Sequence, residues 1–255
     1  MLAAGWVRYQ RSSLVAAVPK GLSYFAKFVV YLADPVDRFC WAWKHLKVDA
    51  RLGVDMATFL QQPKQHMVRL GAREQQLLHN GLAFDLGAEL PHDATPAHPT
   101  ATSLLQEVVH LPKMLVLLPH RLDESLVMLR RVLCWSQADI LYDAGQSDPP
   151  APAVAADLAD RIRDFNSVDV AIWKAASSEF DHHIDRIIGF EAEVRRFVAA
   201  RQAFAQACAS LNAPATNVSA PTVLFADTHA AACARARAPL PELLRAICAH
   251  WLPVV

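Results

Sequence analysis

The sequence has no excess charge of either sign. Its 255 residues carry 25 Lys plus Arg and 25 Asp plus Glu. Nothing global draws such a chain to nucleic acid or to an anionic membrane, so any anion site must be local. No uncharged apolar run reaches 18 residues, and no transmembrane segment is predicted in this chain. The most apolar early window, 14–32, is interrupted by Pro19, Lys20 and Lys27. The opening "MLAAGWVRYQ" lacks the layout of a cleavable signal. Five cysteines (Cys40, Cys134, Cys208, Cys233, Cys248) form no CxxC and no zinc-ligand spacing, so no metal site is expected. Their odd number leaves at least one thiol free or paired between chains. The HExxH, GxSxG, GxGxxG and GxxxxGK[ST] patterns are missing, which removes the common protease, hydrolase and nucleotide-binding signatures. No internal repeat of 20–50 residues is present.

The composition is that of a globular chain, 53% hydrophobic and 20% charged. "FAKFVVYL" (25–32), rich in aromatic and β-branched residues, predicts a buried strand. After "AD", Pro35 suits the first turn of a helix, where its missing N–H matters little. Val36, Phe39, Cys40 and Trp43 then recur at helical spacing. The same order returns in "KMLVLL" (113–118), the break "PHR", and the helix "LDESLVMLRRVLCW". There Leu122, Leu126, Leu129 and Leu133 share a face, Cys134 reads as a core thiol, and Asp123 or Ser125 is expected to cap the start. Strand then helix, twice, predicts parallel βα units, with a third copy possible at 221–236. Further helices are predicted at 54–62, 72–80, 102–110, 154–165, 167–183 and 190–210. Loops are marked by 91–100, 145–153 and 212–221. The simplest reading is one α/β domain with a helix-rich C-terminal half.

Ligands of open α/β sheets collect beyond the carboxyl ends of the strands. That points to Ala33-Asp34-Pro35, to Pro119-His120-Arg121 and to Asp227-Thr228-His229. His120 is the best-placed general base, since imidazole titrates near neutrality; the plainer reading is a solvated loop histidine. Asp34 reads as a helix cap or as an acid. In "DHHID" (181–185) the neighbours His182 and His183 point about 100° apart on a helix and suit a surface pair, not one ion. "NVS" at Asn217 matches the short glycosylation pattern. The break at 33–35 poses a question: it has the form of a phosphate-holding turn, yet it offers an acid and no base.

A family resemblance answers it. "LDESLVMLRRVLCWSQADILY" (122–142) closely resembles a segment of the galactose-3-O-sulfotransferase family, which includes galactosylceramide sulfotransferase. Asp123, Glu124, Ser125, Leu126, Val127, Leu129, Leu133, Cys134, Trp135, Asp139 and Tyr142 fit in order and without a gap. "WVRYQRSSLVAAVP" (6–19), "VYLADPVDRF" (30–39) and "NGLAFDLG" (80–87) resemble further blocks in the same order, and "RIRDFNSVDVAIW" (161–173) is a fainter match. Together they span roughly 6–210.

The resemblance implies a sulfotransferase fold, similar to P-loop nucleoside-triphosphate hydrolases, with a parallel sheet flanked by helices. It implies a partial sulfotransferase-like domain over 1–211 and a C-terminal extension over 212–255. It implies transfer of a sulfuryl group from 3'-phosphoadenosine 5'-phosphosulfate to galactose on a glycolipid or glycan, in the Golgi. In the family, Arg typically stands at the place of Ala33 and pairs with the donor's 3'-phosphate, and Ser stands near Trp41 and Ala42. This chain keeps Asp34, Pro35, Val36 and Phe39 without either contact. Asp34, Pro35 and Arg38, one helical turn on, are therefore the expected donor-binding residues. His120 replaces the family's turn Glu. The family's first strand and its Lys-Thr-His-Lys-Thr type loop, which holds the sulfate-bearing phosphate, have no counterpart ahead of residue 6. Two expectations follow: an N-terminally incomplete, divergent sulfotransferase, or a non-catalytic family member acting as a binding module or partner subunit.

Overall fold

The computed structural model describes residues 28–110, 114–142 and 154–210. The stretch at 6–19, the loop at 145–153, Asn217, Cys233, Cys248, and the 221–236 unit with Asp227, Thr228 and His229 lie outside the described residues. Strands β1 (Phe28–Tyr31) and β2 (Met114–Leu117) pair in parallel, with Phe28 opposite Met114 and Tyr31 opposite Leu117. The Leu32 N–H donates to the Leu117 carbonyl at 3.0 Å and carries the ladder one step further. Parallel strands need a long crossover, and here it is made of helices. The described architecture is a helix-rich α/β fold with a small parallel sheet.

The crossover runs through α1 (Pro35–His45), α2 (Val48–Leu52), α3 (Met56–Phe59), α4 (Pro63–Met67), α5 (Ala72–Leu78), α6 (Gly81–Asp85) and α7 (Pro99–His110). The helix expected over 54–62 is a single short turn at Met56–Phe59, and the next helix starts just beyond that range, at Pro63. Asp55 caps α3, accepting from the Thr58 N–H at 2.7 Å. Pro63 cannot continue a helix but can start one, so it opens α4 at its first position. After β2 a 3-10 turn (Pro119–Arg121) leads into α8 (Leu122–Leu133). The chain ends its described part with α9 (Ala156–Phe165), α10 (Ser167–Asp185) and α11 (Phe190–Ser210).

The described residues divide between two compact units. The larger holds both strands, α1–α7, α9 and α10. Its core is aromatic: Phe39, Trp43, Phe59 and Phe165 meet with ring centroids 5.1 to 6.4 Å apart, tilted or edge-on. Val36, Cys40 and Leu78 close around them.

The smaller unit contains α8, a 3-10 turn (Ala138–Ile140) and α11. Leu126, Leu129 and Trp135 are buried as the α8 stripe predicts, while Leu133 is only half-buried. One expectation fails here. Cys134 is exposed and free, not a core thiol. It takes φ 56°, the left-handed residue just past the helix, and the Trp135 N–H closes back on the Arg130 carbonyl at 3.0 Å. The turn that ends the helix directs Cys134 outward and Trp135 inward. Asp123, one of the two expected caps of α8, is engaged elsewhere. It accepts from the Tyr142 hydroxyl at 2.9 Å and pairs with Arg201 at 3.1 Å, and the Arg201 guanidinium lies over the Tyr142 ring. The carboxylate ties α8, the segment at 142 and α11 together. Beside it, Tyr142 is pushed above its ordinary titration range by burial first, then by the Asp123 charge.

Candidate functional site at the strand ends

Parallel pairing in register puts the two strand breaks side by side in the larger unit. At the first, Asp34 caps α1, accepting from the Val36 N–H at 2.8 Å, and Pro35 is buried at the first helical position. This is the capping role the sequence allowed. Asp37 follows on the same turn. Its carboxyl is raised above the usual range by partial desolvation and by the Asp34 charge, with His120 pulling the other way. Cys40, one turn deeper, is pushed up to about 11 by burial and by the same two carboxylates. It is a core thiol and not a nucleophile at neutral pH.

At the second break, His120 is exposed in the 3-10 turn, its ring 5.5 Å from the Trp173 ring of α10. Two buried polar atoms of α10 face no hydrogen-bond partner, the Trp173 Nε1 and the Ser177 Oγ one turn on. Arg121 pairs with Asp181 and lies over the Phe180 ring. His182 and His183 are exposed, as the sequence suggested, and the His183 Nδ1 sits 2.9 Å from the Glu179 carbonyl.

Arg38 points elsewhere. Its side chain is 5% exposed, and the guanidinium pairs with Asp85 at 2.6 Å and reaches the Leu77 and Gly81 carbonyls at 3.4 Å. Gly81 makes this possible, since a Cβ there would meet Arg38 Nη2 at 2.9 Å. The site therefore combines Asp34, Asp37 and His120, an arrangement suited to proton transfer, with its arginines engaged by carboxylates. Among the described residues no group of three His, Cys, Asp or Glu side chains is placed to hold a metal ion.

Behind the site lies a polar network that residue-by-residue reading missed. Asn80, at φ 51°, accepts from the Val168 and Asp169 N–H groups at 3.1 and 3.3 Å, capping α10 from a distance. In return the Asp169 carboxylate accepts from the Leu82 and Ala83 N–H groups at 2.9 Å and caps α6. Asn166 completes the exchange, accepting from the Asn80 N–H at 2.7 Å. Burial pushes Asp169 up to about 6, against the pull of those two N–H groups and of Arg38. The signal lay in the quoted blocks themselves: Asn80 sits in 80–87, Asn166 and Asp169 in 161–173.

The sequence profile of Galactose-3-O-sulfotransferase matches residues 2–223. The chain belongs to the galactose-3-O-sulfotransferase family. Human galactose-3-O-sulfotransferase 3 is 27% identical over 222 residues, covering 80% of this chain and 48% of that protein. Galactosylceramide sulfotransferase is 33% identical over 153 residues in mouse, covering 58% of this chain and 34% of that protein. In human it is 30% identical over 189 residues, covering 70% and 43%. The chain thus spans less than half the length of these relatives. No solved structure matches it significantly. Within this galactose-3-O-sulfotransferase family member, several residues of the 122–142 block are structural: Asp123 and Tyr142 join helices, and Asp139 accepts from the Ser136 N–H and hydroxyl at 2.8 and 2.7 Å.

Proposed function

We propose that this chain serves sulfuryl transfer from 3'-phosphoadenosine 5'-phosphosulfate to the 3-hydroxyl of galactose on a glycolipid or glycan. The observation that carries the proposal is the juxtaposition of the two strand-end breaks, in a chain whose residues 2–223 match the family. In this reading the sheet is part of a P-loop-like sulfotransferase fold over 1–211, with 212–255 an extension. The donor lies along the Asp34–Pro35 turn. The acceptor hydroxyl attacks the sulfur, the bond from sulfur to the 5'-phosphate oxygen breaks, and adenosine 3',5'-bisphosphate leaves. His120 takes the hydroxyl proton. In this reading the transfer takes place in the Golgi lumen. No helix among the described residues is long and apolar enough to cross a membrane.

A second reading, a non-catalytic binding module, is favoured by one specific observation. Ala33 offers no cation to a 3'-phosphate, and Arg38, the candidate to replace it, is engaged by Asp85. Calorimetric titration with adenosine 3',5'-bisphosphate separates the two. Wild type is expected to bind weakly, and Ala33→Arg to bind roughly 10- to 150-fold more tightly, the worth of one charge-assisted hydrogen bond. His120→Ala is expected to abolish sulfation of galactosylceramide and leave bisphosphate affinity unchanged. If wild type and Ala33→Arg both fail to transfer sulfate, the binding-module reading holds.

A further inference from the structure

The smaller unit contains a cleft that the transfer chemistry does not use. Its volume is about 480 Å³. One wall is α8, contributing Val127, Arg130 and Arg131. Gln137 closes one end, and α11 supplies Glu193, Arg196 and Phe197. Glu193 is 9% exposed and is shared by both α8 arginines: Arg130 pairs with one carboxylate oxygen, and the Arg131 Nε and Nη2 reach the other at 2.7 and 2.6 Å. Arg196, three residues on from Glu193 and so on the same helix face, is exposed and makes no ion pair among the described residues. Three guanidinium groups and one carboxylate line the cleft, an excess of two positive charges in a chain whose formal net charge is zero.

We propose that this cleft binds a small ligand through a sulfate or phosphate monoester. The argument is one of charge and form. A carboxylate accepts strongly from one guanidinium fork, and a second fork on the same carboxylate retains unused donors. Arg196 adds a third set with nothing negative opposite it. A tetrahedral oxyanion presents enough acceptors to bridge such an array, and a concave wall strengthens the field at its mouth. The volume exceeds that of a bare ion and falls within the range of small-molecule sites. Val127 and Phe197 line the interior beside the charges, and Gln137 offers hydrogen bonds to a neutral polar part of the ligand. Helix adhesion alone would require one arginine for Glu193, not two, and has no use for Arg196.

The test is titration calorimetry of the full chain in low-salt chloride buffer. The probes are inorganic sulfate, inorganic phosphate, galactose 3-sulfate and adenosine 3',5'-bisphosphate. At least one ester is expected to bind with one-to-one stoichiometry, and Arg196→Gln to weaken it at least about tenfold. Arg196 is exposed, so this variant keeps the fold. Arg195→Gln, next in the chain and paired with Glu191 at 3.4 Å, is the control and is expected to leave affinity unchanged. Loss confined to galactose 3-sulfate identifies a glycan ester as the ligand; loss confined to the bisphosphate identifies a nucleotide. Equal effects of Arg195→Gln and Arg196→Gln, or no ester binding at all, overturn the proposal. The site stands or falls apart from the donor turn, because no residue of that turn lines it.

Discussion

Cys134 shows how much backbone conformation weighs at a single position. A β-carbon in the left-handed region costs about 1–2 kcal/mol, which is why glycine usually ends a helix there. Cys134 holds φ 56° with its thiol exposed, so nothing packs on it. Cys134→Gly is expected to stabilise the protein by about 0.5–1 kcal/mol, after allowance for the greater freedom of glycine in the unfolded chain. Urea unfolding of the two proteins checks the sign, and an unchanged midpoint would show that the turn carries no strain. The same replacement removes an exposed thiol that oxidants can reach, whereas Cys40 stays shielded.

Among the elements, the exchange of caps between α6 and α10 is the joint that matters most. Neither helix supplies a side-chain cap from its own preceding residue. Each depends on a residue more than eighty positions away, Asn80 for α10 and Asp169 for α6. Asn80→Ala removes the acceptor for two buried N–H groups and places a β-carbon at positive φ without asparagine's local hydrogen bonding. It is expected to destabilise by about 2–4 kcal/mol. Asn80→Gly keeps the backbone relaxed and should lose about 1 kcal/mol less. The ordering of the two variants in thermal unfolding is the measurement. Equal losses would mean that the backbone conformation contributes nothing.

At the scale of the whole molecule, stability in mild acid is set by opposing groups. His79 is pulled down to about 4, by burial first and by the neighbouring His92. Unfolded, it titrates near 6.5, so between pH 6.5 and 4 the unfolded chain binds the extra proton and stability falls as pH falls. Asp169, pushed up to about 6 from 3.8, does the reverse. Between pH 6 and 4 the folded state binds the extra proton, so this group adds stability as pH falls. Each slope is at most about 1.4 kcal/mol per pH unit. His79→Phe is therefore expected to lose less stability between pH 6.5 and 4 than wild type, and Asp169→Asn to lose more. Chemical unfolding at pH 7, 6 and 5 tests both, and parallel pH profiles for the three proteins would remove both groups from the account.

Much of this protein is legible in the order of its residues. Apolar periodicity marks β1, β2, α1 and the longer helices because burial of one face imposes a period of two or 3.6 wherever the element lies. Pro35 and Asp34 announce the start of α1 because proline and capping chemistry act within a few residues. The 122–142 block, together with the others, identifies the family, since a long ordered match does not depend on contacts. Other features come only with the third dimension. The short α2 and α6 have too few turns to show a period. The outward turn of Cys134 depends on one backbone angle. Asn80 and Asp169 become caps, and Arg38 becomes the partner of Asp85, because distant parts of the chain meet and a buried donor or charge must be satisfied where it lands. Local chemistry travels with the sequence; the pairing of buried polar groups is decided by the fold, because only there does the cost of leaving one unpaired appear.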